Sequence, residues 1–85
     1  MPAKHFLIEK KANKSILRLP LNIQNKIDKA FGIIRENPLS GSKLLGELAG
    51  YYKYRVGDYR VVYLFDKKKS VVIVVKVEHR RGVYK

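Results

Sequence analysis

The residues best suited to chemistry are Lys53, Arg55 and Arg60, set around a Gly57-Asp58 step. Cations two residues apart lie on one side of an extended chain, because successive strand side chains alternate between faces. Grouped ammonium and guanidinium ions hold phosphate oxygens, and the surrounding rings of Tyr51, Tyr52, Tyr54, Tyr59 and Tyr63 offer faces on which bases stack. A second basic and aromatic group, Lys76, His79, Arg80, Arg81 and Tyr84, lies towards the C-terminus. His79 is the better placed of two histidines for proton transfer, although a lone histidine is more often structural or simply exposed. The seven acids are scattered singly, so no metal site is expected, and no Gly-rich phosphate loop or Ser/His/Asp set points to a cofactor or a serine nucleophile.

The elements that must position these residues are readable from spacing. If Gly57 and Asp58 are the two loop residues of a hairpin, Val56 faces Tyr59 and opposed residues carry numbers summing to 115. Arg55 then faces Arg60, and Tyr51, Lys53, Arg55, Arg60, Val62 and Leu64 share one surface. The other surface, with Tyr52, Tyr54, Val56, Tyr59, Val61 and Tyr63, is apolar enough to pack on helices. Like charges directly opposed destabilise a strand pair by up to about 1 kcal/mol, so the arrangement works against itself unless an anion sits there. A merely solvated face is the competing reading; what weighs against it is the clustering of cations with no acid at those central positions. In the last strand Lys76, Glu78 and Arg80 share one face, and a preceding loop of even length is expected to align them with the cationic surface, where Glu78 would neutralise part of the charge.

Upstream, the pattern predicts a strand over 4–9 and a helix over 10–19 with Ala12, Ile16 and Leu19 on one face. Pro20 ends that helix and opens a second, with Ile23, Ile27, Ala30, Phe31 and Ile34 on its stripe, closing near Asn37-Pro38. Strands follow at about 43–48, 51–56, 59–65 and 71–78, with Asp66 to Ser70 as a basic loop. The expected fold is α+β: a small antiparallel sheet, made of the N-terminal strand and a C-terminal meander, packed against a two-helix hairpin in a single domain spanning 1–85.

Charge bounds the partners. The chain has 85 residues, with 19 Lys or Arg against 7 Asp or Glu, a formal net charge of +12. Residues 1–42 hold 8 basic and 3 acidic side chains and residues 43–85 hold 11 and 4, so the excess is spread over the whole surface. Such a cation attracts polyanions, nucleic acid first. With 46% hydrophobic residues the charge does not mark a disordered tail. The absence of cysteine excludes disulfide frameworks and thiol nucleophiles and fits a reducing cytoplasm, and no apolar run approaches the roughly 20 residues of a membrane span.

The stretches Lys43-Leu44-Leu45-Gly46, Tyr52-Lys53-Tyr54-Arg55-Val56, Gly57-Asp58-Tyr59-Arg60-Val61-Val62-Tyr63 and His79-Arg80-Arg81-Gly82-Val83-Tyr84 resemble a RelE-type toxin of the RelE/ParE toxin–antitoxin superfamily, over essentially the whole chain. The resemblance implies a metal-independent endoribonuclease that cleaves mRNA in the A site of the small ribosomal subunit, inhibits translation, and is restrained by a small RelB-like antitoxin. Carried over by position, it makes Lys53, Arg55, Arg60, Arg80 and Tyr84 the catalytic set. Lys53 would be the base, Arg55 and Arg60 the stabilisers of phosphorane charge, Arg80 the assistant to the leaving oxygen and Tyr84 the residue that stacks on a base. Arg55 stands where a Lys is often found, which keeps charge but not proton transfer. Lys11, Lys14 and Arg18, at helical spacing on the first helix, join Lys76, His79 and Arg81 as expected RNA contacts outside the reacting centre, with a solvated surface as the plainer reading of the helical three. Two alternatives stay open. One is a ParE-like, non-enzymatic inhibitor of DNA gyrase, whose relatives generally lack the Lys53, Arg55 and Tyr84 set. The other is a basic nucleic-acid-binding module without turnover.

Overall fold

The computed structural model describes residues 2–44, 46 and 50–79. Strand β1 (His5–Ile8) leads into helices α1 (Lys10–Leu17) and α2 (Leu21–Glu36), then strands β2 (Ser42–Lys43), β3 (Tyr51–Val56), β4 (Tyr59–Asp66) and β5 (Val71–His79). The strands form one five-stranded sheet in the order β1-β5-β4-β3-β2. The α+β architecture is the one expected, with one difference: β1 runs parallel to β5, so the sheet is mixed and not wholly antiparallel. A four-residue strand carries no mark of its direction. The continuous apolar run Val71 to Val75 suits a strand hydrogen-bonded on both sides, as β5 is between β1 and β4.

Each helix buries the stripe its spacing predicts. Ala12 and Ile16 of α1 and Ile27, Ala30 and Ile34 of α2 are buried, with Leu19, Ile23 and Phe31 packed at the margin. α1 closes at Leu17, two residues short of the expected end, and Leu19, restricted by the proline after it, lies beyond the helix. The side-chain amide of Gln24 donates to the carbonyl of Leu19 at 2.8 Å, satisfying an acceptor that the broken helix leaves open. Among the described residues no helix is long and apolar enough to cross a membrane.

Both helices pack on one face of the sheet, against Tyr52, Val61, Tyr63, Val72, Val74 and Val77. The stacked rings of Tyr52 and Tyr63, 5.4 Å apart and directly opposed in the register, lie on that face. Tyr63 also anchors the segment that follows α2: its hydroxyl donates to the carbonyl of buried Pro38 at 2.7 Å and accepts from the N–H of Gly41 at 3.1 Å. Burial pushes the Tyr63 phenol above its ordinary value. Tyr63→Phe orphans a buried carbonyl and an amide, so a loss of about 1–3 kcal/mol is expected, read as a melting temperature lower by at least about 4 °C. Because the folded pKa is the raised one, this ionisation leaves stability intact below pH 10 and removes it as pH climbs through the native value; alkaline unfolding should therefore lose that component in Tyr63→Phe.

Of the strand expected over 43–48, the described residues carry only Ser42–Lys43, with Leu44 outside it. Gly46, at φ 72°, is in the left-handed region, away from regular strand geometry, and residues 45, 47 and 48 lie outside the described residues.

Candidate functional site

The β3–β4 hairpin has the register its loop dictates, with every pair from Tyr51↔Leu64 to Val56↔Tyr59 as expected. Gly57 at φ 58° supplies the positive φ that such a two-residue turn demands at its first central position. Lys53 and Arg55 are exposed, and Arg60 opposes Arg55 from β4, the central strand of the sheet. All three point away from the helices, onto a face that no described helix covers. With Ser42 of β2 they line a concavity of about 380 Å³. Arg60 is also a wall of an adjoining one of about 310 Å³, whose other lining residues include Tyr51, Val62, Val75, Lys76 and Glu9. The outer face therefore carries a cationic basin opening into a more apolar one.

Lys76 and Glu78 reach the same face, but not by the route expected. The loop from 67 to 70 does have an even number of residues, and Asp66 pairs with Val71. Continued unbroken, that register would place Val77 opposite Arg60 and turn Lys76 towards the helices. A bulge intervenes between Val62 and Tyr63: Tyr63 pairs with Val74 while Val62 pairs with Lys76, leaving Val75 as the extra residue. From there the faces exchange, and Glu78 sits directly opposite Arg60. Arg60 donates from Nε to Glu78 Oε1 at 2.7 Å, with 33% and 24% of the two side chains exposed, and Lys76 Nζ lies 3.6 Å from Oε2.

A sequence profile of the family described as "ParE toxin of type II toxin-antitoxin system, parDE" matches residues 6–84. The chain belongs to the RelE/ParE toxin superfamily. It is 34% identical to Toxin RelG of Mycobacterium tuberculosis over 76 residues, which is 87% of each chain. It is 32% identical to Toxin RelE of the same organism over 83 residues, 95% of this chain and 86% of the relative. Its fold superposes with a TM-score of 0.82 on a chain of the toxin–antitoxin complex RelBE2 from M. tuberculosis, at 32% identity over 94% of this chain and 93% of the other.

For this RelE/ParE toxin the structure brings Lys53, Arg55, Arg60 and Lys76 to one face. It places His79 elsewhere: in register with Tyr59, the imidazole packs edge-on against that ring at 4.9 Å, on the helical side of the sheet. Lys11 and Lys14 are exposed on α1 and Arg18 is exposed at its C-cap; none of the three lines the basin formed by Lys53, Arg55 and Arg60. Arg80, Arg81 and Tyr84 lie outside the described residues. Ser42 and Glu9 line the basins without having been singled out. Ser42 escapes because nothing in Ser40 to Lys43 shows that the chain returns to pair with Lys53. Glu9 reaches the groove through the parallel pairing of β1, which no local pattern encodes.

Proposed function

We propose that this toxin is a ribosome-dependent endoribonuclease that cuts mRNA in the A site, with the cationic face of the β3–β4 hairpin as its reacting surface. The observation that carries the reading is the meeting of Lys53, Arg55 and Arg60 around one concavity with no acid among its described lining residues. In the reaction, the ribose 2′-oxygen attacks the adjacent phosphorus, the bond to the 5′-oxygen breaks, and the products end in a 2′,3′-cyclic phosphate and a 5′-hydroxyl. Lys53, as the base, takes the 2′-hydroxyl proton. Arg55 and Arg60 hold the charge that grows on the equatorial phosphate oxygens. Arg80 assists the departing 5′-oxygen, which takes its proton from water, and Tyr84 stacks on a base. The apolar lining beside Arg60, with the ring of Tyr51, has the character to seat a neighbouring nucleobase. Exposed Lys11, Lys14 and Arg18 suit backbone contacts with ribosomal RNA, which are sequence-independent. This activity belongs in the cytoplasm, with the ribosome.

The restraining partner in this reading is a small acidic antitoxin of the RelB kind, as the relatives' toxin–antitoxin complexes suggest. Its counter-charge is drawn to the hairpin face or to the helical hairpin.

In vitro translation of a defined message, followed by primer extension, is expected to show cuts inside A-site codons. Intact message in the presence of folded toxin contradicts the proposal. The family profile carries the ParE description, which favours gyrase inhibition as the second reading. Loss of supercoiling at stoichiometric toxin, without RNA cleavage, would decide for it. Binding to single-stranded RNA supplies a further check: for each phosphate-bound cation removed, the slope of log affinity against log salt should become shallower by about 0.7, so Arg55→Ala is expected to differ from the parent by that amount.

A further inference from the structure

We propose that Glu78 is a positioning residue for Arg60: by occupying Nε, it turns the guanidinium so that the fork of its two terminal nitrogens meets the scissile phosphate. This rests on the endoribonuclease reading above and deepens it. A guanidinium can grip a phosphate along two edges, the terminal Nη pair or the side edge that includes Nε. The bond of 2.7 Å from Nε to Glu78 Oε1 closes the side edge, and the Nη groups have no hydrogen-bond partner among the described residues. Lys76, 3.6 Å from the second carboxylate oxygen, steadies the carboxylate from its other end.

The fold goes out of its way to place Glu78 there. Only the bulge at Val75 brings residue 78, and not Val77, opposite Arg60, and bulges of this kind re-aim side chains next to active sites. A carboxylate beside the cations weakens their attraction for RNA. Its presence beside the central strand β4 makes sense if direction, and not net charge, is what Arg60 needs.

That trade gives a signature no plain structural role would share. In single-turnover cleavage on ribosomes programmed with a defined message, Glu78→Ala is expected to lower the saturating rate at least tenfold. The toxin concentration giving half the maximal rate should stay the same or fall, since one negative charge is gone. Glu78→Gln keeps the length and an acceptor oxygen, and should recover most of the rate. A saturating rate in Glu78→Ala equal to the parent's overturns the proposal, as does an equal loss in both variants or a loss through weaker saturation alone. A parent toxin that never cleaves defeats the endoribonuclease reading instead, which is a separate outcome. On the parent protein alone, the Nε–H of Arg60 should exchange with solvent more slowly in NMR than that of exposed Arg55; equal exchange overturns the pairing even if the alanine variant fails to fold.

Discussion

Arg60→Ala is expected to slow A-site cleavage by roughly 10²–10³-fold while leaving the protein folded. A group that stabilises charge appearing only in the transition state is worth about that much when removed from a preorganised site. Arg60 meets the conditions: it stands on the central strand β4, it is a third exposed, and its guanidinium is held by Glu78. The carboxylate it leaves behind is not stranded, because Lys76 is already 3.6 Å from it and Glu78 retains some solvent access. Arg60→Lys keeps the charge and loses the planar fork, so an intermediate rate is expected. The measurement is the single-turnover rate at saturating toxin, with circular dichroism and a melting curve on the same preparations. A rate within twofold of the parent would remove Arg60 from the reaction.

Gly41→Ala is expected to be the most damaging small substitution, destabilising by about 3 kcal/mol. A Cβ at that position would lie 2.6 Å from the hydroxyl of Tyr63 and 2.7 Å from the carbonyl of Lys53. The first contact breaks the bond that ties Gly41 to Tyr63; the second presses on the backbone of β3 beneath the candidate base. Overpacking of 1–3 kcal/mol and a lost buried hydrogen bond of about 1 kcal/mol together give roughly that total. For a chain of this size, that is a drop of at least about 12 °C in melting temperature. Gly32→Ala is the matching control. Gly32 is exposed on α2 and a Cβ there would meet nothing within 4 Å, so the same change should stabilise by roughly 0.5–1 kcal/mol. Equal melting temperatures for the two variants would contradict the close approach of Gly41 to Tyr63.

How much of this was legible in the residues depends on how local the instruction is. The Gly57-Asp58 turn fixes six residue pairs at once, so the faces of β3 and β4 follow from counting. The helical stripes are equally local, since Ile27, Ala30 and Ile34 are spaced by the helix itself. The bulge is different. Val75 is flanked by Val74 and Lys76, with no glycine to mark an irregularity. Its one trace is a conflict of parity: Val72 and Val74 must face the helices, yet Lys76 and Glu78, at positions of the same parity, must not. An unbroken strand cannot satisfy both, and the strand resolves it by absorbing one residue. The direction of β1 and the return of Ser42 to β3 depend on contacts distant in sequence, so no nearby residue announces them.

Cleavage of mRNA on the ribosome is the work proposed for the hairpin's cationic face. It is tested most directly by mapping the ends of the RNA from one turnover, on programmed ribosomes, with chelator present. The expected result is a single cut within the A-site codon, leaving a 2′,3′-cyclic phosphate upstream and a 5′-hydroxyl downstream, and much diminished in a Lys53→Ala, Arg60→Ala double variant. Intact message with the parent toxin, or a cut of undiminished rate in the double variant, would contradict it.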